Sequence, residues 1–363
     1  MSDVIATGGL PSVIGTLLLR SQSARAGVIN STVFKGSPLL SILAQAGAIK
    51  PLESSMSIAV KDPGAAVTTY FETVNAAGTV TSSLSADLSA NLLMRHYMPA
   101  FLNSSLMIDA RKLQLIKGQN AIIDYLTEVT MQHANTNAVG FNGLVLSGFT
   151  ATAGTANNIS GLATQLPVVA RVSSAPTVHA SDHGGIYEAA AARLAPKRLV
   201  NQTITSATVV GLIRQMAASL KASGVDSTQK FALATQSGFL DLAAAMDGKF
   251  SPTQLRILDL GFEGISIGQT AIIMEGGLDE ITIKGAVADA DTFFFIDGDA
   301  VKLYSASGAS IAPDANVLFT DSGDRVISDT NVNNAIRSQF FGQLVVEKPM
   351  KCGVLTTSST NHQ

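Results

Sequence analysis

Two histidines and an aspartate stand together in the stretch HASDH, as His179, Asp182 and His183. Histidines at i and i+4 on one helix face can hold a metal ion, with a neighbouring glutamate as general base. Here Pro176 precedes and Gly184-Gly185 follow, so a continuous helix is not expected across the pair. The glutamate beside the first histidine is missing as well. The stretch reads as a solvated loop with two polar rings, and no metal is assigned to it.

Other chemistry fails on spacing. There is no G-x-S-x-G elbow for a serine nucleophile and no G-x-x-x-x-G-K-[ST] loop for phosphates. Gly261, Gly264 and Gly268 in GFEGISIGQ are wrongly spaced for a dinucleotide loop, and no helix follows; turns between short strands explain them. Asp289, Asp291, Asp297 and Asp299 suggest calcium at first sight. Phe293, Phe294 and Phe295 interrupt the ligand order, so hairpin ends around a buried strand fit better. His96 and His133 sit in apolar surroundings and read as hydrogen-bonded core residues, and Cys352 as a packed thiol. Asn30, Asn103, Asn158 and Asn201 stand in formal glycosylation sequons, to which no role is given without a secretory signal. No catalytic or cofactor-binding residue is assigned, no cofactor is expected, and the chain is read as no enzyme.

The elements that would have to position such residues point elsewhere. Across 363 residues, enough for about two domains, 46% are hydrophobic and only 14% charged, against roughly 25% in a typical soluble chain. With a mean hydropathy of +0.30, apolar area must be hidden by a membrane or by other subunits. A membrane is not expected: the best apolar run, Leu10 to Leu19, is far short of the ~20 residues of a spanning helix. Asp3 and the absence of Lys or Arg in the first nineteen residues also argue against a signal peptide. That leaves subunits. One cysteine excludes an internal disulfide, and a net charge of −3 with no tryptophan excludes a polycation or a base-stacking platform.

Along the chain, residues 1–50 read as an arm with one short helix, SPLLSILAQAG, capped by Ser37 with Pro38 at its first position. From Met56 to Leu106 the pattern is strand-like around a slack centre, NAAGTVTSSLSAD, which needs a surface to lie on. Ile122, Leu126, Val129 and His133 form one stripe of a long helix, expected to end before Asn142-Gly143. From Thr205 a compact α/β texture follows. SATVVGLIRQMAASLKASG is a helix with Val210, Ile213, Ala217 and Leu220 on one face, and KFALAT is a strand. SGFLDLAAAMDG is a helix opened by Ser237, and SPTQLRILDLG one capped by Ser251. QTAIIME, DTFFFID and DAVKLYS are strands, and the chain closes on the apolar strand of SQFFGQLVVEKPMKCGVLTTSS.

This order of elements resembles the major capsid proteins of tailed bacteriophages with the Hong Kong 97-type fold. FFGQLVVEKPMKCGVLT is similar to the closing strand of one subfamily, which reads as a QLVV strand, an Asn-Pro turn and Gly-Val-Leu-Thr. YMPAFLNSSLMIDARK and NAIIDYLTEVTMQHANTNAVGFNGLVLSG resemble the family's descent from its extended loop into the spine helix. HGGIYEAAAARLAPKRLV, GFEGISIGQTAIIME and FFFIDGDAVKLYS occupy the places of further family stretches.

The resemblance implies an α+β fold with an N-arm over 1–51, an E-loop over 52–107 and a P-domain over 108–203 whose spine helix spans about 111–138. An axial A-domain follows over 204–320, and 321–363 hold the return strands of the P-domain and a tail. The closing strand would tie the peripheral domain to the axial one, with Pro349 setting the turn. The implied function is a self-assembling shell of hexamers and pentamers around double-stranded DNA, in the virion, built in the bacterial host cytoplasm. Expected partners are further copies of the chain, a portal protein, a separate scaffolding protein and decoration or cement proteins. Packaged DNA would be met by non-specific contact. The scaffold is expected to be separate because about fifty residues before the E-loop are too few for a built-in one.

Asn75, Thr79, Thr81 and Asp87 are candidate inter-subunit residues of the E-loop. Arg20, Arg25, Lys35, Arg111, Lys112 and Lys117 are candidate inner-surface cations, with ordinary inter-subunit salt bridges as the competing role. The alternatives are an encapsulin-like compartment with an enzyme cargo, a tail or decoration protein, and a metalloenzyme using His179, Asp182 and His183.

Overall fold

The computed structural model describes residues 32–52, 57–61, 92–96, 99–109, 119–147, 159–168, 195–222, 230–247, 262, 264–279, 291–305, 320–321 and 333–357. The HASDH stretch, the slack E-loop centre and the SPTQLRILDLG segment lie outside these residues.

The first named helix, α1 (Pro38–Gln45), starts as its sequence predicts: Ser37 Oγ accepts from the Leu40 amide at 3.3 Å and Pro38 occupies the first turn. It leads into β1 (Ile49–Pro51), and β2 (Ser57–Lys61) pairs antiparallel with β3 (Leu92–His96). β4 (Ala100–Asp109) begins just after Pro99, which separates it from β3 in what the sequence suggested as one run.

The long helix, α2 (Gln119–Ser147), continues through Asn142-Gly143 instead of stopping before it. The turn propensity of that dipeptide is overridden because the buried Asn142 side chain is bonded to two other elements. Its buried stripe runs Thr130, His133, Ala134, Asn137, Ala138, Phe141, Asn142, Val145 and Leu146, at helical spacing throughout. Leu126 and Val129, expected on the stripe, are half-buried at its margin.

After the short α3 (Leu162–Gln165) come β5 (Lys197–Leu199), α4 (Val209–Ala222), β6 (Lys230–Ala234) and α5 (Gln236–Met246). α4 buries Val209, Ile213, Met216 and Leu220, one step round from the face predicted for it. α5 is not opened by Ser237, which is exposed in its first turn. Thr235 is the cap residue, and Asp279 supplies the missing acceptor from another segment, with Oδ1 and Oδ2 3.0 and 3.1 Å from the Gln236 amide.

β7 (Gly264–Ile267) and β8 (Thr270–Met274) form a hairpin whose turn needs Gly268 at φ +63, so this glycine serves a turn as expected. β9 (Thr292–Asp297) and β10 (Val301–Ser305) follow, then β11 (Thr320–Asp321), β12 (Asn333–Val346), a 3-10 turn at Pro349–Lys351 and β13 (Gly353–Thr356). Between β9 and β10, Asp297 Oδ1 accepts from the Asp299 amide at 3.1 Å, but the two strands belong to different sheets, so these two acids mark a tight crossing between sheets and not the hairpin end expected.

Two larger sheets result. One has five strands, β1-β10-β12-β11 with β4 also on β12; the other has six, in the order β5-β13-β9-β6-β8-β7. β9 is buried along its whole length because both faces are covered. Phe293 and Phe295 join a core with α4 and α5, while Phe294 and Ile296 join the core that holds α1, α2, β10 and β12. The far face of the six-stranded sheet and the inner face of the five-stranded sheet therefore share one apolar core.

Candidate functional site at the junction of the two sheets

β12 is the strand on which the junction is built. Residues 333–342 pair with β4, residues 342–346 with β10, and residues 338–339 with β11. Gly342 takes part in both long ladders, facing Ala100 and Ser305. A Cβ there would lie 2.0 Å from the Tyr304 carbonyl oxygen and 2.7 Å from the Phe340 ring, so only glycine fits.

Beyond Gly342 the β4 side of the strand would be left without a partner. The Leu303 amide donates to Ala48, so Lys302 and Tyr304 turn their backbone groups toward Val345 and Gln343. Leu344 and Val346 consequently face the other way. The Gln165 amide takes the place of a strand there: Nε2 donates to the Leu344 carbonyl at 2.6 Å and Oε1 accepts from the Val346 amide at 2.7 Å. Nε2 also reaches the Ser160 carbonyl at 2.9 Å, and Gln343 Oε1 accepts from the Ser160 amide at 2.8 Å. Two glutamines thus pin α3 and its preceding loop to the strand, all of it buried.

The Ser338 and Phe340 side chains of β12 face α2. Phe340 meets Phe141 edge-on, ring centroids 4.8 Å apart, and Ser338 Oγ lies 3.1 Å from His133 Nε2. The same nitrogen is 3.2 Å from Asn137 Nδ2. His133 is the hydrogen-bonded core histidine that its surroundings predict. On the opposite face Phe341 stands across from Phe101, centroids 6.3 Å apart, and both are open to solvent at 38% and 50%. Asn103 and Ser105 continue that exposed face along β4.

The strand then turns into the other sheet. Glu347 is held by Lys302 Nζ at 2.6 Å and by the Tyr304 hydroxyl at 2.7 Å, while its amide donates to Ala300. Pro349 begins the 3-10 turn, and β13 enters the six-stranded sheet between β5 and β9. Lys351 Nζ lies 3.6 Å from the buried Asp297 carboxylate. Cys352 is fully buried beside them, and loss of solvent pushes its thiol up to about 12 despite the Asp297 backbone hydrogen bond. It is an inert packed thiol, as expected.

A third tie crosses the shared core. Ser37 Oγ donates to Asn142 Oδ1 at 2.6 Å, and Asn142 Nδ2 donates to Glu275 Oε1 at 3.0 Å. Glu275 follows β8 and is 1% exposed; it also accepts from the Gly277 and Leu39 amides at 3.3 and 3.4 Å. Burial raises its carboxyl above the ordinary range, the three hydrogen bonds oppose this, and the Asp279 charge adds to it. Gly277 leaves the room required: a Cβ would lie 2.6 Å from Leu146 Cδ1 and 2.9 Å from Asn142 Nδ2.

Of the residues singled out in the sequence, Lys35 is described, exposed on the helical turn at 32–36 just ahead of α1. Asn75, Thr79, Thr81, Asp87, Arg20, Arg25, Arg111, Lys112 and Lys117 lie outside the described residues. So do His179, Asp182 and His183. Among the described residues no group of three or more His, Cys, Asp or Glu could hold a metal ion, and no helix is long and apolar enough to cross a membrane. The residues that organise the junction, Gln165, Asn142, Glu275 and Gly342, carry no motif, and sequence reasoning passed over their roles.

No protein-family model matches the chain, and no curated protein matches it by sequence. Solved structures do match. A chain of the cyanophage A-1(L) capsid asymmetric unit superposes with a TM-score of 0.62 at 13% identity, over 89% of this chain and 93% of that one. A structure from Mycobacterium phage Che8 matches at 0.46 and 12% identity, over 85% and 89%. The holo-SrpI encapsulin complex from Synechococcus elongatus matches at 0.43 and 10%, over 86% and 85%. The chain shares the fold of the cyanophage capsid chain, an α+β architecture of Hong Kong 97 type.

Proposed function

We propose that this chain is the major subunit of a tailed-phage head, a non-enzymatic building block of an icosahedral shell around double-stranded DNA. The observation that carries the proposal is the fold match to the cyanophage capsid chain, which extends over nearly the whole of both chains. Composition supports it independently. At 14% charged residues the chain has few groups with which to keep a lone protomer soluble. Closed symmetric assembly removes that apolar surface from water.

In this reading α2 serves as the spine helix of the P-domain, with the five-stranded sheet beside it. The six-stranded sheet with α4 and α5 serves as the axial A-domain. The E-loop over residues 52–107 reaches a neighbouring subunit through the segment holding Asn75, Thr79, Thr81 and Asp87. Arg20, Arg25, Lys35, Arg111, Lys112 and Lys117 face the interior, where contact with DNA is non-specific. Hexamers and pentamers form with a separate scaffolding protein, around a portal, in the host cytoplasm, and decoration proteins bind the finished head.

The test is electron microscopy and light scattering of the purified protein, alone and with a candidate scaffold. Closed shells or five- and six-membered rings are expected. A chain that stays monomeric with the scaffold present overturns the proposal. Shells that recover an enzyme cargo in place of DNA would assign the same fold to a compartment.

A further inference from the structure

We propose that the paired crossing between the two sheets is a latch: the β9–β10 and β12–β13 connections open and close as one unit, held shut by the ion pair of Lys351 with Asp297. Among the described residues no strand ladder joins the five-stranded sheet to the six-stranded one. The chain passes between them at residues 298–300 and again at 347–352. These two passages lie against each other. The Ala300 carbonyl on the first accepts from the Glu347 amide of the second at 2.7 Å and from the Lys348 amide at 3.5 Å.

Charge is scarce in this chain, at 14% of residues, yet it is concentrated here. Asp297, Asp299 and Glu347 stand with Lys302, Lys348 and Lys351 on the two passages and their flanks, three of each sign. The two ends of the second passage are anchored differently. Glu347 is bonded to Lys302 and Tyr304, both on β10, so its tie stays within the five-stranded sheet. Lys351 reaches the other way, to the carboxylate of Asp297 at the end of β9 in the six-stranded sheet.

That carboxylate is 2% exposed. Its Oδ1 accepts from the Asp299 amide, while Oδ2 has no hydrogen bond and relies on Lys351 Nζ, 3.6 Å away. Lys230 stands opposite Asp297 on β6 but forms no ion pair with it. A buried carboxylate that loses its countercharge is driven toward water. The Lys351 side chain and the Cys352 thiol, hydrogen-bonded to the Asp297 backbone, close this one in. Water therefore reaches it when the turn at Pro349–Lys351 lifts, and lifting that turn pulls on Ala300 in the neighbouring passage. Such an opening costs neither sheet a ladder, so the crossing is where the sheets can shift against each other while both stay folded.

The experiment follows Cys352, the single cysteine of the folded full-length chain, with an aromatic disulfide reagent. Lys351→Met keeps the aliphatic stem and removes the charge; it should raise the labelling rate about tenfold or more. Adding Asp297→Asn leaves no buried charge over and keeps the acceptor for the Asp299 amide, so the double variant should return most of the way to wild type. Glu347→Gln alters a tie made in the open and closed forms alike and should leave the rate unchanged. A Lys351→Met rate equal to wild type, or a double variant as fast as the single one, overturns the latch. The wild type alone carries a second test. Amide exchange at Ala300 on one passage and at Lys351 and Cys352 on the other should report one common opening, with protection equal within about threefold and well below that of Phe294 and Val354 in the β9–β13 ladder. Unequal protection across the two passages overturns the single unit. None of these readings depends on whether shells form, so failure here is distinct from failure of the assembly reading.

Discussion

The Gly342 Cα lies so close to Tyr304 that a β-carbon would stand 2.0 Å from the Tyr304 carbonyl oxygen. This contact sits where β12 passes from one partner strand to the next, and backbone cannot yield there as a flexible side-chain tip would. Gly342→Ala should destabilise the fold by about 3 kcal/mol or more, by overpacking against backbone. Soluble yield and the thermal midpoint measure it. A midpoint equal to the wild type would show that β10 can move aside.

Gln165→Ala removes both partners of the Leu344 carbonyl and the Val346 amide at a buried position. Each orphaned backbone group costs about 1–3 kcal/mol, so the expected loss is about 2–6 kcal/mol. Amide exchange at Val346 should accelerate far more than at Val345, which bonds across to β10. Equal acceleration at both would mean the strand opens as a whole and Gln165 is no local substitute for a partner.

Phe101→Ser with Phe341→Ser addresses the exposed aromatic pair. Both rings are already substantially in water, so the protomer should lose no more than about 1 kcal/mol. If copies of the chain meet on this face, the double variant should shift the light-scattering size distribution strongly toward small species. Normal shells with an unchanged midpoint would place the subunit contacts elsewhere.

Cys352 should not react with iodoacetamide in the native protein at about pH 8, since its thiol is buried and pushed up to about 12. Denaturant should release one reactive thiol per chain, the single cysteine of the sequence. Rapid native labelling would reveal that the turn at Pro349–Lys351 opens on its own.

What the sequence disclosed divides by the range of the interaction. Ser37 and Pro38 act within one turn of their own helix, and Gly268 within its own hairpin, so local pattern was enough. The run of three phenylalanines was legible as a buried strand because few other environments accept it. Ser237 misled because the acceptor that opens α5 belongs to Asp279, forty-three residues away. Asn142-Gly143 misled for the same reason: the side chain that would favour a turn is engaged by Ser37 and Glu275. Gln165 carries no signal, since a glutamine that completes a sheet is chemically identical to one in water. The fold was legible from the order of elements through the family resemblance it carries, and the low share of charged residues pointed toward burial against other copies.

The continuity of β12 has a mechanical consequence. Ladder hydrogen bonds run across the strands, so a pull along β12 loads its ten residue pairs with β4 side by side, in shear. A pull across the sheet would instead peel them one at a time. The strand resembles a tie-rod: anchored along one edge by β4, extended by Gln165, and continued through a short turn into the middle of the second sheet. Tension entering either sheet lengthwise reaches the other through covalent backbone, so the two sheets would resist stretching as one piece while remaining easier to bend about the turn.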